Sequence, residues 1–99
     1  DDNRMQNDGF TDGIMPMDPI DKKFEAFNWE VMKIDGHDMT QVLETIEKAK
    51  AFKGKPVCIV ANTIKGKGVG LMENQRRFHG KPPTDEEYEI ALKEIRGEA

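Results

Sequence analysis

The chain has 99 residues, the size of one folded unit, and 15 Lys plus Arg against 19 Asp plus Glu leave a formal net charge of −4. That balance excludes non-specific nucleic-acid binding, which needs a basic surface to displace counterions, and no run approaches the roughly 18 apolar residues of a membrane span. The single cysteine, Cys58, excludes an intrachain disulfide and points to a reducing, cytoplasmic setting; the polar start Asp1-Asp2-Asn3-Arg4 carries no secretory signal.

In chain order, Asp1 to Asp8 is polar and leads into a Gly- and Pro-rich stretch, so residues 1–19 read as a functional loop or a linker. Asp18-Pro19 predicts a helix start with Asp18 as N-cap; Ile20, Phe24 and Phe27 then share one face, and Asn28 suits the stop. Trp29 to Asp35 reads as a strand packing through Trp29, Val31, Met32 and Ile34, and Asp35-Gly36-His37-Asp38 as a tight turn. Asp38 and Gln41 resemble a capping box, opening a helix with the stripe Met39, Val42, Leu43, Ile46, Ala49 and Phe52; Gly54 and Pro56 end it. Val57-Cys58-Ile59-Val60-Ala61 is a continuous β-branched run of the kind found in a strand covered on both faces. Thr63 to Gly70 is a Gly/Lys loop. Thr84 and Glu87 form a second capping box before the stripe Tyr88, Ala91, Leu92 and Ile95, and Gly97-Glu98-Ala99 is a frayed tail.

This alternation predicts an α/β fold: a parallel sheet with flanking helices. Two strands are too few for a sheet covered on both faces, so further strands are expected from a preceding segment or another chain. The chain therefore reads as one partial domain over 1–99, with 1–19 as a ligand-side loop and 84–99 as the terminal helix and tail.

Ligands bind beyond the carboxyl ends of the strands in such sheets, where three polar loops fall: 1–9, 35–38 and 65–68. Lys65-Gly66-Lys67-Gly68 joins cations to close-approach glycines, a phosphate-binding combination that alone is commoner as a solvated turn. His79, in Phe78-His79-Gly80-Lys81-Pro82, could move protons or donate to an anion, yet alone reads as a surface histidine. Asp1-Asp2-Asn3 and Asp8 offer oxygens to a hard cation such as Mg²⁺, though acidic loops are far commoner. Neither His37 nor His79 has a cysteine or second histidine at zinc-ligand spacing. His37 reads as a turn residue, Cys58 as an inert core thiol, and Phe24, Phe27 and Trp29 as core.

In combination these segments resemble transketolases. Asp2-Asn3-x-x-x-x-Asp8-Gly9, Asp35-Gly36-His37-Asp38, Thr63-Ile64-Lys65-Gly66-Lys67-Gly68 and Phe78-His79-Gly80-Lys81-Pro82 occur in that family's order and spacing. Gly13 to Pro19 and Ala26 to Val31 are similar to it as well. 1-Deoxyxylulose-phosphate synthases share parts of the pattern. The resemblance is strongest to the N-terminal section of transketolases encoded as two polypeptides.

The resemblance implies the C-terminal part of a thiamine-diphosphate-binding domain, with the diphosphate held through Mg²⁺ (or Ca²⁺). It implies Asn3 as a metal ligand through its side-chain oxygen and Met5 through its backbone carbonyl. Lys65 lies near the diphosphate, and His79 contacts it and approaches the donor end of the substrate, as the catalytic residue. The expected activity is transfer of a two-carbon ketol unit from a ketose phosphate to an aldose, in the pentose phosphate pathway. The family's Gly-Asp-Gly metal motif, its upstream substrate histidines and its pyrimidine-activating glutamate are absent from these residues. The implied partners are therefore an upstream Gly-Asp-Gly-containing segment and a pyrimidine-domain subunit, in an oligomer such as a dimer, with the isolated chain inactive. The competing expectation is a non-catalytic fragment or subunit-contact scaffold module.

Overall fold

The computed structural model describes residues 1–98. They form two compact units, one of Asp1–Asn3 with Met15–Thr63, the other of Arg4–Ile14 with the chain from Ile64 onward. Among the described residues no helix is long and apolar enough to cross a membrane.

The first unit is α/β, as expected. β3 (Glu30–Asp35) and β4 (Val57–Asn62) pair in parallel, in register from Glu30 opposite Val57 to Asp35 opposite Asn62. α2 (Ile20–Ala26) and α3 (Met39–Ala51) flank the sheet; both pack on β3, and α2 also touches β4. Ile34 and Val60 are the buried strand residues. Lys33 is opposite Val60, so Ile34 and Val60 point to opposite faces and each face has one buried anchor. Asp2 adds a single parallel bridge to Asn62: its N–H donates to the Ala61 carbonyl (2.8 Å) and its carbonyl accepts from Thr63 N–H (3.1 Å).

Several expected helix beginnings and ends need correction. Pro19, not Asp18, occupies the cap position of α2, and proline supplies no side-chain acceptor there. The helix thus begins one residue later than the Asp18-Pro19 pair predicts. The stop is as expected: Asn28 is left-handed (φ 66°), with Asn28 N–H on Glu25 O and Trp29 N–H on Phe24 O, a Schellman pattern. Phe27 then falls outside the helix and is 79% exposed, so it is not core, whereas Phe24 and Trp29 pack edge to face at 5.3 Å. Asp38 does cap α3, accepting from Gln41 N–H, but the box is not reciprocal: Gln41 Oε1 instead accepts from Asp35 N–H (3.1 Å).

The α3 stripe divides. Val42 and Ala49 are half-buried and Thr45 is buried, while Met39, Leu43 and Ile46 are exposed. Two strands are too narrow to cover the full apolar face of a thirteen-residue helix.

The second unit contains more regular structure than the loop reading of residues 1–19 allows. β1 (Met5–Gln6) and β2 (Gly9–Phe10) form an antiparallel hairpin across Asn7-Asp8, and α1 (Thr11–Ile14) follows. The hairpin joins two strands of two residues each, too short for an alternating pattern to show in the sequence. A 3₁₀ turn at Arg76–Phe78 precedes α4 (Asp85–Arg96). Both halves of the Thr84/Glu87 capping box are present. Ala91 is buried and Leu92 half-buried, but Tyr88 and Ile95 are exposed. Gly97 is a left-handed cap (φ 71°) and not part of a frayed tail, since Gly97 and Glu98 N–H groups close on Glu94 and Lys93 carbonyls; Ala99 lies outside the described residues.

Candidate functional site

The carboxyl ends of β3 and β4 lie side by side, so their following loops share one edge of the sheet. There the Asp35–Asp38 turn folds on itself, with His37 N–H on Asp35 Oδ1 (2.8 Å) and Asp38 N–H on the Asp35 carbonyl (3.2 Å). Gly36 donates to the Asn62 carbonyl (2.8 Å), and a Cβ there would stand 2.5 Å from Thr63 Cγ2. Only glycine allows so close an approach to β4. Asp1 accepts from the Thr63 hydroxyl. Through the Asp2 bridge, this edge also holds the short segment that ends in Asn3, which is half-buried.

The expected acidic ligand set is not assembled here. Asp1 is engaged by Thr63, and Asp8 is an exposed turn residue of the other unit. Among the described residues no three His, Cys, Asp or Glu side chains gather as a metal-binding group. The donors that the family resemblance singles out are the Asn3 amide oxygen and the Met5 carbonyl, both hard oxygens. Their chemistry fits Mg²⁺, which binds few protein groups and completes its shell with phosphate and water.

Met5, Lys65 and His79 all belong to the second unit, and Asn3 to the first. Met5 lies opposite Phe10 in the hairpin, which is closed at its base by the Thr11 N–H and hydroxyl on the Arg4 carbonyl (2.9 and 3.2 Å).

The Lys-Gly-Lys-Gly segment is a turn, exposed at Gly66, Lys67 and Gly68 as expected, and its backbone is held in place by specific contacts. Gly66 is left-handed (φ 74°), and a Cβ there would lie 2.5 Å from the Met72 carbonyl oxygen. Asn74 N–H closes the loop on the Lys65 carbonyl (2.9 Å). Glu73 accepts from Gly68 N–H (3.1 Å) and pairs with Lys67 (3.8 Å), while Glu94 of α4 accepts from Gly70 N–H (2.5 Å). The two lysines therefore differ. Lys67 pairs with Glu73; Lys65 is half-buried and has no ion-pair partner among the described residues.

His79 follows the 3₁₀ turn and is exposed, its N–H bonded to the Arg76 carbonyl (3.0 Å). Two arginines on that turn anchor it. Arg76 Nη1 donates to the Asp8 carbonyl (2.5 Å), and Arg77 pairs in a two-pronged manner with Glu87 while stacking over Phe78 at 4.0 Å. Arg77, with the Thr84 N–H, holds the Glu87 carboxyl below its ordinary range.

Sequence reasoning missed Glu73, Glu94, Arg76 and the Arg77–Glu87 pair. Only Glu87 had a local signal, as a capping residue; the others join positions whose spacing follows no helix or strand period. Cys58, expected in the core, is half-buried and lines a cleft of about 290 Å³ in the first unit with Met17, Ile20 and Phe24. None of Asn3, Met5, Lys65 or His79 lines that cleft.

Parallel α/β sheets take ligands beyond the carboxyl ends of their strands, and phosphorylated ligands are common there. The chain belongs to the transketolase family, thiamine diphosphate binding domain, whose profile matches residues 1–97. It is 41% identical over 97% of its length to a 6-deoxy-6-sulfo-D-fructose transketolase subunit from Clostridium sp. (strain MSTE9), covering 35% of that protein. It is 42% identical over 99% of its length to an apulose-4-phosphate transketolase subunit from Actinobacillus succinogenes, again covering 35%. The chain thus spans about a third of the length of these relatives. Against a transketolase mutant from Pichia stipitis the fold superposes with TM-score 0.63 at 19% identity, over 99% of this chain and 17% of that one.

Proposed function

We propose that this chain is part of a transketolase that moves a two-carbon ketol unit from a ketose phosphate to an aldose, and that it contributes contacts to Mg²⁺ and thiamine diphosphate. The observation that carries the reading is the contrast between the two lysines. A half-buried lysine on a folded loop, with no ion-pair partner among the described residues, favours an anion, and a diphosphate supplies one. Asn3 and Met5 offer the metal a side-chain amide oxygen and a main-chain carbonyl, and Lys65 offers the diphosphate a point charge. His79 offers a ring nitrogen that can donate to an anion or exchange a proton with a sugar hydroxyl. Thiamine diphosphate, when bound, supplies the carbanion stabilisation that such a transfer requires. The chain's own residues supply orientation and charge.

The relatives named as subunits support an assembly with a second polypeptide; in this reading that polypeptide bears the pyrimidine side of the cofactor, and an upstream segment bears further metal ligands. The 1–99 region then acts as one partial domain, with cofactor contacts concentrated in residues 1–19 and in the loops at Lys65 and His79.

Kinetics of the assembled enzyme test this. His79→Ala lowers kcat/KM by roughly ten- to a hundredfold, the loss expected for one charge-assisted hydrogen bond, with the fold intact by circular dichroism. Unchanged kinetics, together with a melting temperature insensitive to thiamine diphosphate, Mg²⁺ and chelator, would leave the scaffold reading in its place.

A further inference from the structure

The β1–β2 hairpin has two residues in each strand, far below what holds a hairpin in one geometry by itself. Its turn is secured from a distance of 68 residues, where Arg76 Nη1 donates to the Asp8 carbonyl at 2.5 Å. The same residue's carbonyl accepts from His79 N–H, and the segment just before it returns to the Lys65 carbonyl through Asn74 N–H. Arg76 thus sits where the hairpin carrying Met5, the turn presenting His79 and the end of the Lys65 loop meet. Arg77, its neighbour, is committed to Glu87 of α4.

We propose that Arg76 is a positioning residue: its guanidinium fixes the hairpin that carries Met5 against the turn that presents His79, so that metal-side and substrate-side groups keep one spacing. This rests on the cofactor reading above for the roles of Met5 and His79. Arg76 itself touches neither cofactor nor substrate in this scheme. A guanidinium suits the task because its donors are rigidly arrayed and its charge strengthens the bond to a carbonyl.

The test uses the assembled enzyme with Arg76→Met, which keeps the apolar stem, and Arg76→Lys, which keeps one charged donor. Hydrogen exchange is followed at the amides of Gln6 to Phe10, and the Mg²⁺ concentration for half-maximal thiamine diphosphate binding is measured by calorimetry. The expected result for Arg76→Met is faster exchange confined to the hairpin and a half-saturating Mg²⁺ concentration raised about tenfold, as when an outer partner of a metal ligand is lost. Arg76→Lys recovers most of both. Parent-like exchange in Arg76→Met overturns the clamp, and faster exchange with an unchanged Mg²⁺ requirement overturns its positioning role. Asn3→Ala is measured alongside: if it too leaves the Mg²⁺ requirement unchanged, the failure lies in the cofactor reading, and this proposal falls with it.

Discussion

Ile34 and Val60 sit at the middle of the first unit, on two strands flanked by helices, and the hydrophobic pattern of the chain leads to them directly. The second unit has Val69 and Ala91 as its buried apolar residues, and its long loops are held by polar groups. Glu73 and Glu94 bond loop N–H groups, Arg76 bonds a turn carbonyl, and Arg77 bonds Glu87. The first unit is thus ordered by burial, which tolerates changes of similar volume. The second is ordered by directional bonds and by backbone conformations that few residues can adopt. Loops that bind ligands need their N–H groups and charges at fixed places, and polar closure provides this beside a small apolar core.

The sharpest way to break this contrast is at Gly66. Gly66→Ala meets both a left-handed backbone and the Met72 carbonyl, whereas Gly68→Ala meets a positive φ (95°) but open space. Each substitution costs about 1–2 kcal/mol for backbone conformation, and Gly66→Ala loses at least about 1 kcal/mol more to the clash. Urea unfolding of the two variants measures the difference. Equal losses would mean that the loop relaxes freely and is not locked around Met72.

In the first unit the corresponding comparison is between buried and exposed apolar residues. Val60→Ala removes two methyl groups from a 6%-exposed position and costs about 2 kcal/mol. Leu43→Ala, at a position 67% exposed, stays within about 0.5 kcal/mol by the same unfolding measurement. A large loss at Leu43 would show that the exposed side of α3 is covered in the protein under assay.

The same division explains what could be read in the sequence. The Val57 run, the α3 period and the Thr84/Glu87 box all act through neighbours a few residues apart, and each element appears where its pattern falls. The split of the α3 stripe was not legible, because periodicity gives the apolar face but not the width of the sheet available to cover it. The hairpin at Met5 was hidden because its strands are too short to alternate visibly. In the candidate site, the residue types at Asn3, Lys65 and His79 were legible through the family pattern. The pairing of Lys67 and the anchoring of the His79 turn were not, since Glu73, Glu94 and Arg76 carry no periodic signal. Asp18 shows the opposite failure: its local cap signal was strong, and the helix begins one residue later.

The smallest expected effect lies in the pH response of the Arg77–Glu87 anchor. The Glu87 carboxyl is lowered chiefly by Arg77 and then by the Thr84 N–H. Its contribution to stability is therefore fully present above the ordinary glutamate value of about 4.3 and disappears as pH falls through the lower folded value. Glu87→Gln keeps an acceptor for the Thr84 N–H but removes the charge facing Arg77. The parent should be the more stable of the two at neutral pH, and the gap should close progressively below about pH 4.3, as thermal unfolding across pH would record. Asp38 gives the matching measurement in the first unit, since its carboxyl is lowered by neutral donors, the Gln41 N–H and side chain and the Thr40 N–H. Salt separates the two: added salt should shrink the Glu87→Gln gap by screening an exposed ion pair, and should leave the Asp38→Asn gap nearly unchanged. If both gaps respond alike, the anchor of the His79 turn is an ordinary helix cap, and the electrostatic half of the contrast between the units is lost.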